Sequence, residues 1–141
     1  MTRDEIAALF ARRHATFNDH EAAALADDYS DDATVESPLA GGVATGREAI
    51  ERLYVTFFAA FTDIRLDDDE LLIDGDAVAL FGRMTGTDKG GFMGMAATHR
   101  KVSIRVALLY TLRDGKIVRE RRVYDFTGVL IQVGLLKAKP V

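Results

Sequence analysis

The sequence predicts an α+β fold, in which helices cover one face of a curved, mainly antiparallel sheet. Three observations support this prediction. Helical apolar patterns come first, before residue 62, and strand patterns follow over residues 64–124. Asp-Gly pairs at Asp74-Gly75 and Asp114-Gly115 mark two hairpins, because glycine accepts the positive φ that such turns require. An uncharged apolar segment, residues 126–136, then predicts a short closing helix.

The N-terminal helix is expected to begin at Thr2, which forms a capping box with Glu5 three residues later. Apolar residues then recur at helical spacing, with Arg13 at the edge of their stripe: Ile6, Leu9, Phe10 and Phe17. A short second helix should open at Asn18 or Asp19. Its apolar face is small and consists mostly of alanine.

A short strand over residues 33–37 is predicted next, and Pro38 ends it. Thr45 and Glu48 suggest a second capping box, which would begin the third helix. This helix has the clearest periodicity, in a wide and mainly aromatic stripe: Ile50, Leu53, Tyr54, Phe57, Phe58 and Phe61. Such a stripe predicts a helix that packs flat on the sheet.

Four strands are predicted over residues 64–73, 77–87, 102–112 and 116–124, with a Gly- and Met-rich loop at residues 89–95. On the last strand, alternation places one set of residues on one face and the remainder on the other: Arg119, Arg121, Val123 and Asp125 against Val118, Glu120, Arg122 and Tyr124. A shift of one residue in the hairpin register would turn every side chain of the preceding strand to the opposite face. The sequence therefore does not decide which of these side chains point towards the interior.

Composition limits the possible functions. The 141 residues are expected to form one domain, 1–141, and the net charge of −4 argues against nucleic acid as a partner. Cysteine is absent, and three scattered histidines predict no metal site. The longest uncharged run is too short to span a bilayer, and the charged N-terminus has no apolar signal core. We therefore expect a cytoplasmic protein without a membrane partner.

Asp125 is the main candidate for chemistry, since it stands where the last strand gives way to the apolar segment. It could transfer protons in a dry pocket, or it could cap the following helix through the amide of Thr127 or Gly128. A neighbouring Arg121 would lower its pKa, whereas burial under Phe126 would raise it. The residues alone leave both alternatives open.

Several stretches together resemble the SnoaL-like polyketide cyclase branch of the nuclear-transport-factor-two-like superfamily. They are residues 31–38, 46–50, 57–63, 86–87, 114–117 and 124–134, the last reading Tyr124-Asp125-Phe126-Thr127-Gly128 at its start. The resemblance implies a cone-shaped sheet with three N-terminal helices and a short C-terminal helix. It also implies a cofactor-free enzyme in which Asp125 is the acid and base of an intramolecular aldol ring closure. Family members often carry an aromatic residue where this chain has Arg121.

The resemblance further implies an apolar pocket for a small carbonyl compound, and a homodimer that pairs sheet against sheet. The residues expected to line the pocket, besides Asp125, are His14, Phe17, Tyr29, Glu36, Tyr54, Phe57, Met84, Met93, Arg105, Arg121, Phe126 and Leu130. One alternative is a module that only binds a ligand or dimerises, its cone filled by side chains. A third is an epoxide hydrolase with Arg105 bridging two acids, although Ala107 occupies the expected place of the second acid.

Overall fold

A computed structural model describes residues 1–137, apart from the side chain of Ala40. The elements are α1 (Arg3–Asn18), α2 (Ala22–Ala26), β1 (Tyr29–Ser37), a 3-10 turn (Pro38–Ala40), β2 (Gly42–Thr45), α3 (Arg47–Ala60), β3 (Arg65–Asp74), β4 (Ala77–Thr87), β5 (Lys101–Arg113), β6 (Lys116–Tyr124) and α4 (Phe126–Gln132). The predicted α+β class is confirmed. No helix within residues 1–137 has the length and apolarity needed to cross a membrane.

The strands form one six-stranded sheet in the order β2-β1-β6-β5-β4-β3. The sheet is mixed, because β1 runs parallel to β6 while the other neighbours are antiparallel. Both predicted hairpins are present. Asp114 and Gly115 have φ of +52° and +76°, as a two-residue turn with positive φ at both positions requires, and Gly75 has φ of +57°.

The predicted start of α1 is confirmed. The Glu5 amide donates to Thr2 Oγ1 at 3.1 Å, and the Thr2 amide donates to Glu5 Oε2 at 2.7 Å. The second capping box is wrong, because Thr45 pairs with Thr34 in the β1–β2 ladder and cannot turn into a helix. Gly46, with φ of +89°, makes the sharp transition into α3 instead.

The loop between the hairpins closes one end of the fold. Asp88 is fully buried and accepts hydrogen bonds from the amide (3.0 Å) and hydroxyl (2.9 Å) of Thr98, which fixes the base of the loop. The loop then inserts Phe92, only 1% exposed, among three other aromatic rings: Phe57, Phe61 and Phe126. Met93 beside it is 54% exposed.

Replacing Phe92 with Ala is therefore expected to lower the free energy of unfolding by about 3–5 kcal/mol, since the loop would lose its only deeply packed ring. Met93→Ala is the matched control and should change it by less than about 0.5 kcal/mol. Chemical denaturation measures both values. Equal effects of the two variants would show that Phe92 does not anchor the loop.

Candidate functional site

A cavity of about 80 Å³ lies between the helices and the inner face of the sheet. Most of its wall is apolar. Aromatic rings of α1, of α3 and of the residue that follows α3 face side chains of β3, β4 and β5: Phe10, Phe17, Phe57 and Phe61 against Leu66, Leu80, Met84, Ile104 and Val106. A cavity of roughly 150 Å³ can take up benzene. A ligand of that size or larger therefore requires lining side chains to move.

One part of the cavity wall is polar. Arg13 comes from the inward stripe of α1 and Tyr54 from that of α3, while Glu120 and Arg122 are two residues apart on β6 and so share its inner face. Tyr29, at the start of β1, is fully buried and bonded to three of these residues. We call these five residues the polar wall.

The hydrogen bonds of the polar wall have a defined direction. Tyr29 donates its proton to Glu120 Oε2 at 2.5 Å, so the 2.7 Å contact between the two phenols must be donated by Tyr54. Arg13 Nη2 donates to both phenol oxygens, at 3.2 Å to Tyr29 and 3.1 Å to Tyr54. Arg122 completes the network from the other side, with Nε 3.0 Å from Glu120 Oε1.

The buried charges balance. Arg122 pairs with Glu120, and Arg13 Nη1 lies 2.8 Å from Asp28 Oδ2. Burial by itself would raise the pKa of Glu120, but the Arg122 guanidinium and the hydrogen bonds from Arg122 and Tyr29 hold that pKa below its ordinary value of 4.5. Glu120 is therefore an anion at neutral pH and cannot act there as a proton donor.

The phenols of Tyr29 and Tyr110 stay protonated at neutral pH. Burial, together with the nearby negative charge of Glu120, raises the pKa of both Tyr29 and Tyr110 well above 10.0. Burial also raises the pKa of Tyr124, a further residue of the cavity wall. The Tyr124 hydroxyl is buried and lies close to the side chain of Ser37 and the backbone of Leu39.

Arg122 has donor capacity to spare. Its Nε and Nη2 bond Glu120, and its guanidinium carbon lies 4.8 Å from the centre of the Tyr54 ring. Within the described part of the chain, no acceptor bonds Nη1. The side chain is only 8% exposed and lines the cavity, which makes Nη1 a candidate donor for a bound molecule.

Asp125 lies outside the cavity lining. Its side chain is exposed, and Oδ1 accepts a hydrogen bond from the Gly128 amide at 2.8 Å, which starts α4. Of the two roles left open by the sequence, the capping contact is the one formed in this structure.

The other candidate residues divide into two groups. Five line the cavity: His14, Phe17, Tyr54, Phe57 and Met84. Both ring nitrogens of His14 are engaged, because Nδ1 lies 3.0 Å from Asp69 Oδ1 and Nε2 lies 3.1 Å from the Asn18 amide nitrogen. His14 thus ties α1 to β3.

The remaining candidates do not line the cavity. Arg105 and Arg121 lie on the outer face, since the alternate residues of β5 and β6 point inwards. Glu36 pairs with Arg119 at the surface, 3.0 Å apart, and Met93 is exposed. Tyr29 belongs to the polar wall but lies behind the cavity surface, and two residues of α4 pack on the core from outside the cavity: Phe126 and Leu130.

A cone of this kind, with three helices against a curved sheet around an apolar cavity, defines the nuclear-transport-factor-two-like class. Within that class, the model of the SnoaL-like polyketide cyclase family matches residues 8–133. The chain belongs to this family. No curated protein matches the sequence at a significant level.

Solved structures support the same fold. The chain is similar to AclR of Streptomyces galilaeus, suggested to be a hydroxylase, with 25% identity, 99% and 87% of the two chains covered and a TM-score of 0.84. A suggested polyketide cyclase of Xanthomonas campestris pv. campestris has 18% identity, coverage of 94% and 98% and a TM-score of 0.85. A protein of Catenulispora acidiphila with a ketosteroid isomerase-like fold, in complex with trimethylamine, has 22% identity, coverage of 99% and 100% and a TM-score of 0.75.

The Glu120→Gln substitution tests the buried ion pair through its pH dependence. At pH 7 it is expected to lower the free energy of unfolding by about 3–5 kcal/mol, because Arg122 loses its counter-charge. Since the pKa of Glu120 is lowered on folding, its stabilising effect is present above pH 4.5 and is lost as the pH falls through the folded pKa. The difference from the unsubstituted protein should therefore shrink below pH 4.5.

Glu36→Gln serves as the control, because it removes an exposed ion pair with Arg119 and should have little effect at any pH. Urea denaturation between about pH 3 and 7 covers the relevant range. A stability difference for Glu120→Gln that stays constant over this range would contradict the buried, ionised Glu120.

Proposed function

We propose that the protein takes a small, mainly apolar carbonyl compound into the cavity and promotes proton transfer at the carbon beside the carbonyl, followed by ring closure or isomerisation. The observation that supports this best is an apolar cavity with one available cationic donor, Nη1 of Arg122, on its polar wall. Membership of the SnoaL-like polyketide cyclase family favours the same chemistry. The reaction needs no cofactor.

The carbonyl oxygen would accept a hydrogen bond from Arg122, while the apolar body of the compound packs against residues such as Phe57 and Met84. When the neighbouring carbon loses its proton, negative charge develops on that oxygen. A fixed donor in a water-poor site stabilises this charge more than it stabilises the neutral ground state, and this difference accelerates the reaction.

The proton would be accepted by Asp125 and later returned to the new alkoxide. For this, the carboxylate must leave the Gly128 amide, at a cost of about 1 kcal/mol for the lost cap. Tyr124 and Val129, on either side of Asp125 in the chain, line the cavity, so the carboxylate stands close to its edge. Holding a folded substrate beside this group would supply much of the rate through proximity.

A second candidate is a protein that binds the same compound without transforming it. This candidate is favoured because both carboxylates that could act as a base are already engaged. Asp125 caps α4, and Glu120, which lines the cavity, is paired with Arg122. The epoxide hydrolase alternative has less support, because Arg105, its bridging residue, lies on the outer face of the sheet.

Asp125→Asn separates the two candidates, because asparagine caps a helix as well as aspartate does but cannot accept the proton. With a small ketone such as acetone or cyclopentanone in D₂O, the unsubstituted protein should accelerate deuterium incorporation next to the carbonyl. We expect Asp125→Asn to slow this at least about 100-fold, while stability and ketone affinity stay unchanged. NMR follows the exchange and the binding.

Asp125→Ala is the matched comparison. It should lose the same activity and, in addition, about 1 kcal/mol of stability with the cap. If Asp125→Asn retains the exchange rate, Asp125 is not the base. If the unsubstituted protein binds the ketones without exchange, the binding protein is the correct candidate.

A further inference from the structure

Tyr110 is a residue of the cavity wall that belongs neither to the polar wall nor to the proposed mechanism. On β5 it is paired with Val78 of β4 and Glu120 of β6, and both of these residues are buried, so its ring lies on the inner face of the sheet. Only 6% of the residue is exposed, and it lines the cavity. The sheet therefore contributes a buried phenol to a wall that is otherwise mainly apolar.

The hydroxyl of Tyr110 differs from the hydroxyls of Tyr29 and Tyr54. Those two hydroxyls bond each other and Arg13, and that of Tyr29 also bonds Glu120. In the part of the chain that the structure describes, the Tyr110 hydroxyl takes part in no hydrogen bond. A buried phenol usually has a partner, and leaving one unpaired is costly. The partner is therefore expected to come from a molecule in the cavity.

Tyr110 can donate a proton to such a molecule at neutral pH. Burial and the nearby Glu120 carboxylate raise the pKa of the phenol well above 10.0, so its hydroxyl keeps its proton. A phenol can also accept a hydrogen bond, but a ketone or an ether has only acceptor atoms. Towards such a ligand, Tyr110 is a donor.

Tyr110 and Arg122 serve different parts of the cavity. In the strand register Arg122 lies opposite Leu108, which is two residues, or about 7 Å, from Tyr110 along β5. The Tyr110 ring packs edge to face on Phe10 of α1, with ring centroids 4.8 Å apart. Arg122 instead lies against the Tyr54 ring of α3. The two donors therefore suit two separate oxygen atoms of one ligand.

We propose that the Tyr110 hydroxyl binds a second oxygen atom of the ligand, while Arg122 bonds the carbonyl oxygen. The preferred ligands are then carbonyl compounds in which an ether oxygen takes the place of a CH₂ group in the apolar body. This inference rests on the proposed function, because it takes a carbonyl compound to be the ligand. It concerns recognition alone and gives Tyr110 no part in proton transfer.

Tyr110→Phe tests the proposal, because it removes the hydroxyl and leaves the ring in place. The two probes are 4-methoxy-2-butanone and 2-hexanone, ketones of equal length that differ by one oxygen atom in place of one CH₂ group. The substitution should raise the Kd of the methoxy ketone about fivefold, as the loss of one neutral hydrogen bond does, and leave the Kd of the hexanone within about twofold. NMR titrations that follow the methyl signal of Met84, in the cavity wall, measure both values.

Thermal unfolding shows whether the Tyr110 hydroxyl has a partner inside the protein. Tyr110→Phe should leave Tm within about 2 °C of the starting value, because no internal hydrogen bond is lost. Tyr29→Phe is the matched comparison, since it removes the hydroxyl that donates to Glu120. It should lower Tm by at least about 4 °C.

The outcomes separate this inference from the proposed function. If both ketones bind and Tyr110→Phe changes the two Kd values equally or not at all, the inference is wrong while the proposed function stands. If neither ketone binds to the unsubstituted protein, both are wrong. A loss of Tm in Tyr110→Phe as large as that in Tyr29→Phe would also overturn the inference, because the hydroxyl would then have an internal partner.

Discussion

The buried pair of Glu120 and Arg122 is the interaction on which the rest of the structure depends. A carboxylate that is 1% exposed costs several kcal/mol unless its charge and its oxygen atoms are satisfied. Arg122 balances the charge, and Tyr29 donates to the second oxygen. Through Tyr29 the pair fixes the start of β1, and through Tyr54 and Arg13 it holds α3 and α1 against the sheet.

The same pair also gives the cavity wall a cationic group. Glu120 bonds Nε and Nη2 of Arg122, whose guanidinium lies against the Tyr54 ring, and no acceptor among residues 1–137 bonds Nη1. Because Arg13 and Arg122 are already balanced by Asp28 and Glu120, a neutral carbonyl compound adds no net charge to the interior. The charges of the network are therefore balanced without a ligand. In the proposed function, Arg122 would supply the donor for the oxygen atom on which charge develops.

Strand β6 links the two faces of the molecule. Its inward residues, Glu120 and Arg122, belong to the cavity, while Arg119 and Arg121 belong to the outer face. The alternation of side chains along one strand thus separates the residues of the cavity wall from those of the outer face. A substitution of an inward residue of β6 therefore does not directly change the outer face, and a substitution of an outward residue does not directly change the cavity wall.

The sequence was sufficient for the class of the fold and for most of its elements, because apolar periodicity and Asp-Gly turns are local signals. It did not predict β2, and it started β1 four residues late, at Ala33. It was insufficient for the polar wall. Both faces of β6 carry charged residues, so alternation alone could not tell whether Glu120 or Arg121 points inwards. Arg13 occupied the apolar stripe of α1, but its partners lie on β1 and α3, and such contacts between distant segments leave no local pattern. The position of Asp125 was compatible both with a proton-transferring group and with a cap of the following helix. Only the structure shows its contact with the Gly128 amide.

The most direct test of the central claim is an NMR titration of the Arg122 side-chain N–H signals with acetone, and in parallel with a hydrocarbon of similar size. If Arg122 Nη1 receives the carbonyl oxygen, its proton signals should shift with acetone and stay in place with the hydrocarbon, while signals of Met84 and other lining residues respond to both. Arg122 signals that do not move at saturating acetone would contradict the assignment of this donor to the ligand.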